Sequence, residues 1–342
     1  MTKASIVFAV PDFLPLIDVA KEAELAGFDR IWTTETPGRD SLVRALTFGL
    51  NTDSIGIGTG IAYAFTRAPL AMAAAAADIY DALGGRFSLG VGAGTQGMRS
   101  RWYGISDFDH AASRLEEYTV ILREAWRSAK VFHHDGRFYS GSYGEMDGER
   151  SSVPIWGSGI NSTMLKISAR SCDGVAVHPL GSSITYLDGV VLPAIAEGVQ
   201  AIGRSPDLAL WRITSIDDDD EVARSQARRG LAFYFSTPSY GNAAVQTGWG
   251  DVARQVREMY GELGPQWDSI SDLIPDEMVN EFCLVGTTRS VRDEWDLLRE
   301  QYERRGVTEV VFQTAVGSSK SETLDNLRSI VAALGPRNYS SL

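Results

Sequence analysis

The sequence predicts an α/β fold, a (β/α)8 TIM barrel, on three observations. Short β-branched or apolar runs alternate with segments of helical period from end to end, the pattern of βα units around a parallel sheet. Eight such runs can be read. The length, 342 residues, exceeds the usual single core but is routine for an α/β barrel carrying insertions. No internal repeat or low-complexity linker divides the chain, so residues 1–342 are read as one domain.

Taken in order, the expected strands are Ser5–Val10, Arg30–Thr34, Ile55–Ile61, Phe87–Val91, Val153–Gly157, Gly174–His178, Ala209–Ser215 and Thr308–Gln313. Apolar residues at three-to-four spacing predict helices over Leu14–Ala26, Ser41–Leu50, Pro69–Leu83, Ala111–Ser128, Ser162–Arg170, Leu192–Ile202, Glu221–Phe235 and Val291–Arg304, and a last one over Glu322–Leu334. Pro69 opens its helix and Gly84-Gly85 closes it, as proline suits a first turn and glycine the position past an end. Two stretches exceed a minimal barrel. Residues 131–152, after strand four, are aromatic and glycine-rich around Phe132, Gly136, Phe138 and Tyr139 and are expected to form a hairpin. Residues 236–284, after strand seven, hold helical pieces at Val252–Leu263 and Asp276–Phe282 and are long enough to cover a barrel mouth.

Composition excludes several classes of function. Lys plus Arg total 32 against 44 Asp plus Glu, a formal charge of −12, so the chain as a whole repels nucleic acid and anionic membranes, and an anionic ligand must be met by local groups. Cys172 and Cys283 are far apart and form no C-x-x-C pair, which fits a reducing, cytoplasmic setting without disulfide or zinc. The first apolar run is cut by Pro11-Asp12 and is too short for a signal peptide. No run of about eighteen apolar residues occurs, and the alanine-rich Ala71–Ala77 ends at Asp78. No His/Cys/Glu set with metal spacing and no G-x-S-x-G elbow is present, so no metal is expected.

In a barrel, working residues project from the carboxyl ends of the strands. That rule selects Glu35 after strand two, Gly60 and Ile61 after strand three, Gly92 to Gln96 after strand four, Gly157-Ser158-Gly159-Ile160 after strand five and His178 after strand six. The glycine turn at 157–159 leads into a helix, so its N–H groups and the helix N-terminus can converge on a phosphate. A tight turn needing glycine for its backbone angles is the structural alternative, and the position in the barrel favours the anion. Gly92-x-Gly94 lacks the rest of the dinucleotide fingerprint; it keeps the mouth open beside Thr95 and Gln96, neutral partners for a heterocycle's carbonyls and ring nitrogens. Arg99 and Arg101 follow, either for an anionic tail or simply solvated. His178 is the one histidine at a strand's carboxyl end and the best titratable candidate, and Glu35 is a candidate general acid or a cap for neighbouring N–H groups. Phe8, Trp32, Phe65, Trp102, Tyr103 and Trp156 are candidate pocket walls or core.

Several segments resemble the luciferase-like monooxygenase superfamily. They are Ile55-Gly56-Ile57-Gly58-Thr59-Gly60-Ile61, Arg67-Ala68-Pro69, Asp81 to Gly92, Arg114 to Tyr118, Pro154 to Gly159, Asp173 to Pro179 and Val285-Gly286-Thr287. Within it, Ala93-Gly94-Thr95-Gln96 with Arg101 to Gly104, Phe233 to Pro238 and Gly248 to Asp251 resemble the branch that uses the deazaflavin coenzyme F420. The resemblance implies a homodimer that transfers a hydride between F420 and a small-molecule substrate. It implies a cis Gly60–Ile61 peptide whose bulge presses the cofactor's ring, and a phosphate held after strand five. Cofactor binding is thus assigned to Gly60, Ile61, Thr95, Gln96, Gly157, Ser158, Gly159 and Ile160, and catalysis to Glu35 and His178. Sugar-phosphate and alcohol dehydrogenases of this branch carry an acid followed by histidine at the end of strand two, where this chain has Glu35-Thr36. The missing histidine speaks against alcohol or sugar oxidation and leaves reduction of an activated C=C or C=N bond, or a substrate of another class, at least as open. An FMN-dependent monooxygenase is the first alternative and a non-catalytic flavin-binding barrel the second. A barrel hydrolase would want a pair of carboxylates at the mouth, where Glu35 alone is evident.

Overall fold

A computed structural model describes residues 2–9, 13–36, 38–106, 109–127, 131–144, 151–200, 202–316 and 319–339. Strands in chain order are β1 (Lys3–Phe8), β2 (Arg30–Thr33), β3 (Gly56–Thr59), β4 (Ala62–Tyr63), β5 (Phe87–Gly92), β6 (Phe132–Asp135), β7 (Ser140–Tyr143), β8 (Ile155–Gly159), β9 (Gly174–Val177), β10 (Asp207–Ile216), β11 (Cys283–Gly286) and β12 (Glu309–Thr314). The helices that matter to the site are α1 (Pro15–Leu25), α2 (Ser41–Leu50), α3 (Pro69–Ala82), α4 (Gln96–Tyr103), α5 (Ala111–Arg127) and α6 (Ser162–Ser171). This is the expected βα alternation of a (β/α)8 barrel.

The chain falls into two compact units. The first comprises Met1–Ile31, Val177–Pro193 and Leu208–Leu342. Its strands run β11-β10-β12-β1, all parallel. Lys3 to Ile6 stand opposite Glu309 to Phe312 in unbroken register. Ile6, Val7, Phe8, Val310, Val311 and Phe312 are fully buried, which is why these strands read as continuous apolar runs rather than alternating ones.

The second unit comprises Trp32–Ala176 and Ala194–Asp207, with strand order β2-β3-β5-β8-β9 and β4 beside β5. Here β3 pairs with β5 (Ile57 with Phe87), β4 with β5 (Ala62 with Val91) and β5 with β8 (Leu89 with Ile155). Asp40 caps α2, accepting from the N–H of Leu42 and Val43, and Pro69 stands in the first turn of α3. Trp32 and Trp156 meet edge to face at 5.4 Å inside this unit's core. The hairpin expected in 131–152 is present as β6 against β7, Phe132 stacked on Tyr143 at 5.1 Å. Val10, Ser128, Ala201 and residues 145–150 of the expected elements lie outside the described residues.

Four expectations need correction. Residues 96–103, read as loop, form α4: Thr95 caps its start and Gly104 ends it in the left-handed region at φ 66°. Strand five runs on to Gly159, so its glycines close a strand rather than make the turn. The segment 236–284 does not stay outside the sheet, because β11 begins at Cys283 and pairs in parallel with β10. Gly174–His178 stops as a strand at Val177, since His178 turns to cap the short helix Pro179–Gly181. Cys172 and Cys283 are buried free thiols.

Candidate functional site

Nine of the ten candidate residues belong to the second unit, and His178 belongs to the first. Glu35 follows β2 and is 5% exposed. Both its oxygens accept from Arg67 Nη1 at 2.9 Å, Oε2 accepts from Ser41 Oγ at 3.0 Å and the Tyr63 N–H at 3.4 Å, and Oε1 accepts from the Tyr103 hydroxyl at 3.4 Å. Arg67 turns its other terminal nitrogen to Asp40 Oδ2 at 2.6 Å. Three loops, after β2, after β4 and at the end of α4, are thereby tied to one carboxylate. Burial pulls the Arg67 guanidinium down, but the hydrogen bonds and charges of Glu35 and Asp40 outweigh it and hold it above its ordinary value. Burial raises the Asp40 carboxyl, yet the backbone donor Val43 and Arg67 bring it below the usual range. The half-exposed Tyr103 hydroxyl is raised, first by burial and then by the negative charge of Glu35. With its oxygens engaged this way, Glu35 is placed as an anchor for these loops.

The residues assigned to the cofactor converge only in part. The Gly60–Ile61 peptide is cis, as expected, and the Gly60 N–H donates to Thr33 O at 2.7 Å. Ile61, Ser158 and Gly92 meet: a Cβ on Gly92 would run into both Ser158 Oγ and Ile61 Cδ1, so the glycine is what lets those two side chains share one space. A Cβ on Gly157 would meet Ser168 Oγ at 2.6 Å and Cys172 Sγ at 2.8 Å; close packing of α6 on β8, not a turn angle, demands this glycine. Gly159 and Ile160 are half-buried and lead to Asn161, which caps α6 by accepting from the Met164 N–H at 2.9 Å. Thr95 spends an acceptor on the α4 cap, taking the Met98 N–H at 3.2 Å, and Gln96 is exposed in the first turn. Arg99 is not solvated: it is 1% exposed with its guanidinium 5.0 Å from the Phe65 ring centre. Arg101 is exposed and donates to Gly97 O. Of the candidate walls, Phe8, Trp32 and Trp156 are core, whereas Phe65 and Tyr103 are half-buried and Trp102 is exposed.

In the first unit, His178 stacks on Tyr240 at 4.2 Å and meets Tyr234 edge-on at 4.9 Å. Gln313 Nε2 donates to the Tyr234 hydroxyl. The Leu180 N–H donates to His178 Nδ1 at 3.3 Å, so Nδ1 must carry a lone pair and the proton sits on Nε2. Burial among these rings pushes the imidazole pKa down to about 3. The arrangement makes His178 a neutral Nε2–H donor. Burial lifts Tyr234 to about 12 and Tyr240 upward as well.

The model of the family described as luciferase-like monooxygenase matches residues 3–309. The chain belongs to that family. It is 27% identical over 327 residues to a 5,10-methylenetetrahydromethanopterin reductase of Archaeoglobus fulgidus, covering 92% of this chain and 94% of the relative. Its fold matches a coenzyme F420-dependent tetrahydromethanopterin reductase from Methanopyrus kandleri with TM-score 0.79 at 22% identity, covering 98% of this chain and 99% of that one. It also matches a type II Baeyer–Villiger monooxygenase from Pseudomonas putida in complex with FMN, with TM-score 0.68 at 16% identity, covering 98% of each chain. This chain is an oxidoreductase on a (β/α)8 barrel. No helix among its described residues is long and apolar enough to cross a membrane.

Arg67, Asp40, Ser41, Tyr234, Tyr240 and Gln313 complete the two clusters and were not assigned roles from sequence. Arg67 lay within the Arg67-Ala68-Pro69 motif and Gln313 at the end of strand eight, so both carried a positional signal. Nothing local marks the pairing of Arg67 with Glu35, 32 residues away.

Proposed function

We propose that the protein is an F420-dependent oxidoreductase that transfers a hydride between the deazaflavin and a small organic substrate, reducing an activated C=C or C=N bond. The observation that carries this reading is the cradle at Gly92, which a Cβ would fill, walled by Ile61 on one side and the Ser158 hydroxyl on the other. An apolar branched face and a hydroxyl suit a planar ring with polar edges. Gly159, Ile160 and the start of α6 would hold a phosphate, since a ten-residue helix directs its first N–H groups outward. F420, when bound, supplies the carbon that gives or takes the hydride. The chain's residues supply the rest. Glu35 and Arg67 fix the loop after β4 and Ile61 and Ser158 would orient the ring; His178 is proposed for catalysis because its own surroundings make it a neutral Nε2–H donor. The likeness to a methylenetetrahydromethanopterin reductase supports a reductive reaction, and the shared fold with a coenzyme F420-dependent reductase fits the cofactor. Action as a cytoplasmic homodimer belongs to the same reading, through the accessible small face of α3 at Ala71, Ala74 and Ala75.

Titrating the purified protein with F420 and with FMN, followed by turnover, tests it. F420 binding with none for FMN is expected. FMN binding alone overturns the proposal in favour of the monooxygenase reading that the FMN-bound neighbour supports, and F420 binding without turnover on any substrate removes the catalytic part.

A further inference from the structure

We propose that the Thr34 hydroxyl hydrogen-bonds the polar edge of the ring cofactor, and so adds a buried polar contact to the cradle at Gly92, on whose reading as the ring's site the proposal rests. All the residues concerned belong to the second unit. Side chains alternate between the two faces of a strand. At the end of β2, Thr33 and Glu35 turn the same way, since Thr33 Oγ1 donates to Ser41 O at 2.9 Å and Glu35 Oε2 accepts from Ser41 Oγ at 3.0 Å. Trp32 and Thr34 therefore face the other side, where Trp32 is fully buried against Trp156.

On that inner face Trp32 lies over two glycines. A Cβ would come within 2.6 Å of its ring at Gly58 and 3.5 Å at Gly90. Two residues further toward the carboxyl ends, the corresponding positions are Thr34, Gly60 and Gly92. The Gly60 N–H donates to Thr33 O at 2.7 Å, which holds Gly60 alongside, and Gly92 is the cradle itself. A threonine between two glycines takes up far less of that level than the tryptophan takes of the one below.

The hydroxyl at this level is unused by the chain. Thr34 Oγ1 is buried and has no hydrogen-bond partner among the described residues, whereas Thr33, Ser41 and Glu35 around it are all engaged. A buried hydroxyl without a partner costs the folded chain its desolvation with no bond in return, and a ligand that completes the bond removes that cost. It can donate to a ring carbonyl or accept from a ring N–H. Deazaflavin and flavin carry both groups on the pyrimidine part of the ring, so the contact serves F420 and FMN alike.

Thr34→Val removes the hydroxyl and keeps the branched shape, and Thr34→Ser keeps the hydroxyl. Calorimetric titration of the full chain with F420 and with FMN gives the affinities, and scanning calorimetry without cofactor gives the melting temperatures. Thr34→Val is expected to weaken the cofactor that the wild type binds about fivefold. Its cofactor-free melting temperature should hold or rise by up to about 4 °C, because an unpaired buried group is gone. Thr34→Ser should stay within about twofold of wild-type affinity. A hydroxyl that only supports the fold would lower the melting temperature and leave binding alone. Unchanged affinity in Thr34→Val, an equal loss in Thr34→Ser, or a cofactor-free melting temperature lowered by Thr34→Val overturns the proposal. FMN binding alone sinks the F420 reading, and the FMN affinities then decide Thr34; a wild type that binds neither overturns both.

Discussion

Replacing Glu35 by glutamine swaps one of the two oxygens that Arg67 Nη1 bonds at 2.9 Å for an NH2 group and sets donor against donor. Breaking a buried ion pair by removing one partner costs about 3–5 kcal/mol, because the surviving charge is stranded. Here Arg67 keeps Asp40 at 2.6 Å and its side chain is 21% exposed, which lowers the expected cost to about 2–3 kcal/mol. Unfolding a chain of this length carries an entropy of roughly 0.7 kcal/mol/K near the midpoint, so the melting temperature should fall by about 3–4 °C. Calorimetry of the wild type, Glu35→Gln, Arg67→Met and the double variant completes the assay, and the two single effects should fail to add by about 1–2 kcal/mol. Since the same carboxylate holds the Tyr63 N–H beyond the Gly60–Ile61 bulge, cofactor affinity should weaken along with stability. A melting temperature within about 1 °C of wild type combined with a collapse of kcat would refute the anchoring role and make Glu35 the acid or base of the reaction instead.

Other outcomes follow from the same geometry. Gly92→Ala should keep the fold and weaken F420 binding about tenfold, because Ser158 and Ile61 must move apart; unchanged affinity in Gly92→Ala would remove the cradle from the site. His178 has a folded pKa of about 3 against an ordinary 6.5, so the unfolded chain takes up the proton first and stability falls as pH drops from about 6.5 toward 3. Between pH 7 and 5 the wild type should lose up to about 2 kcal/mol more than His178→Asn in chemical denaturation, and the imidazole should show the Nε2–H tautomer by nitrogen NMR; parallel pH curves or an Nδ1–H signal would contradict this. Burial raises the Glu117 carboxyl, but the Tyr139 and Phe138 N–H groups and His134 bring it below its ordinary value, so its contribution is present above about pH 4.5 and lost as pH falls through the folded value. The protection of the 138 and 139 amides against exchange, relative to the intrinsic rate at each pH, should fall below that point, and Glu117→Gln should show the reduced protection already at neutral pH. Sedimentation at working concentration should give a dimer, and a monomer would remove the homodimer from the functional reading.

Where local pattern governs, the sequence was enough. Continuous apolar runs such as Val310–Phe312 read as strands buried on both faces, and Pro69 and Gly84 mark helix ends by their own chemistry. The cradle's parts were also nameable, because a parallel barrel brings strand ends together whatever the side chains are, and the Ile61 and Ser158 positions follow from that rule. Helix α4 was missed although its signals were present: Thr95 and Gly104 bracket it as caps, but Gln96–Tyr103 has no apolar stripe to give it a period. Strand β11 gave less warning, since four residues of apolar character within a helical segment carry no periodicity of their own and become a strand only by pairing with β10.

Roles were decided by contacts between residues distant in sequence. Sequence position made Glu35 a candidate acid or a cap for neighbouring N–H groups, and the tertiary structure surrounds it with Arg67, Ser41, Tyr63 and Tyr103, contacts that suit an anchor. Arg99 looked like a solvated loop residue until α4 laid it over Phe65. His178 kept its place at a strand end, but the Leu180 N–H chose its tautomer and the rings of Tyr234 and Tyr240 lowered its basicity. Secondary structure is written in periodicities a few residues long, which the sequence displays directly. Charge state, tautomer and burial depend on which side chains lie within a few ångströms after folding, and that neighbourhood exists only once the chain has closed on itself.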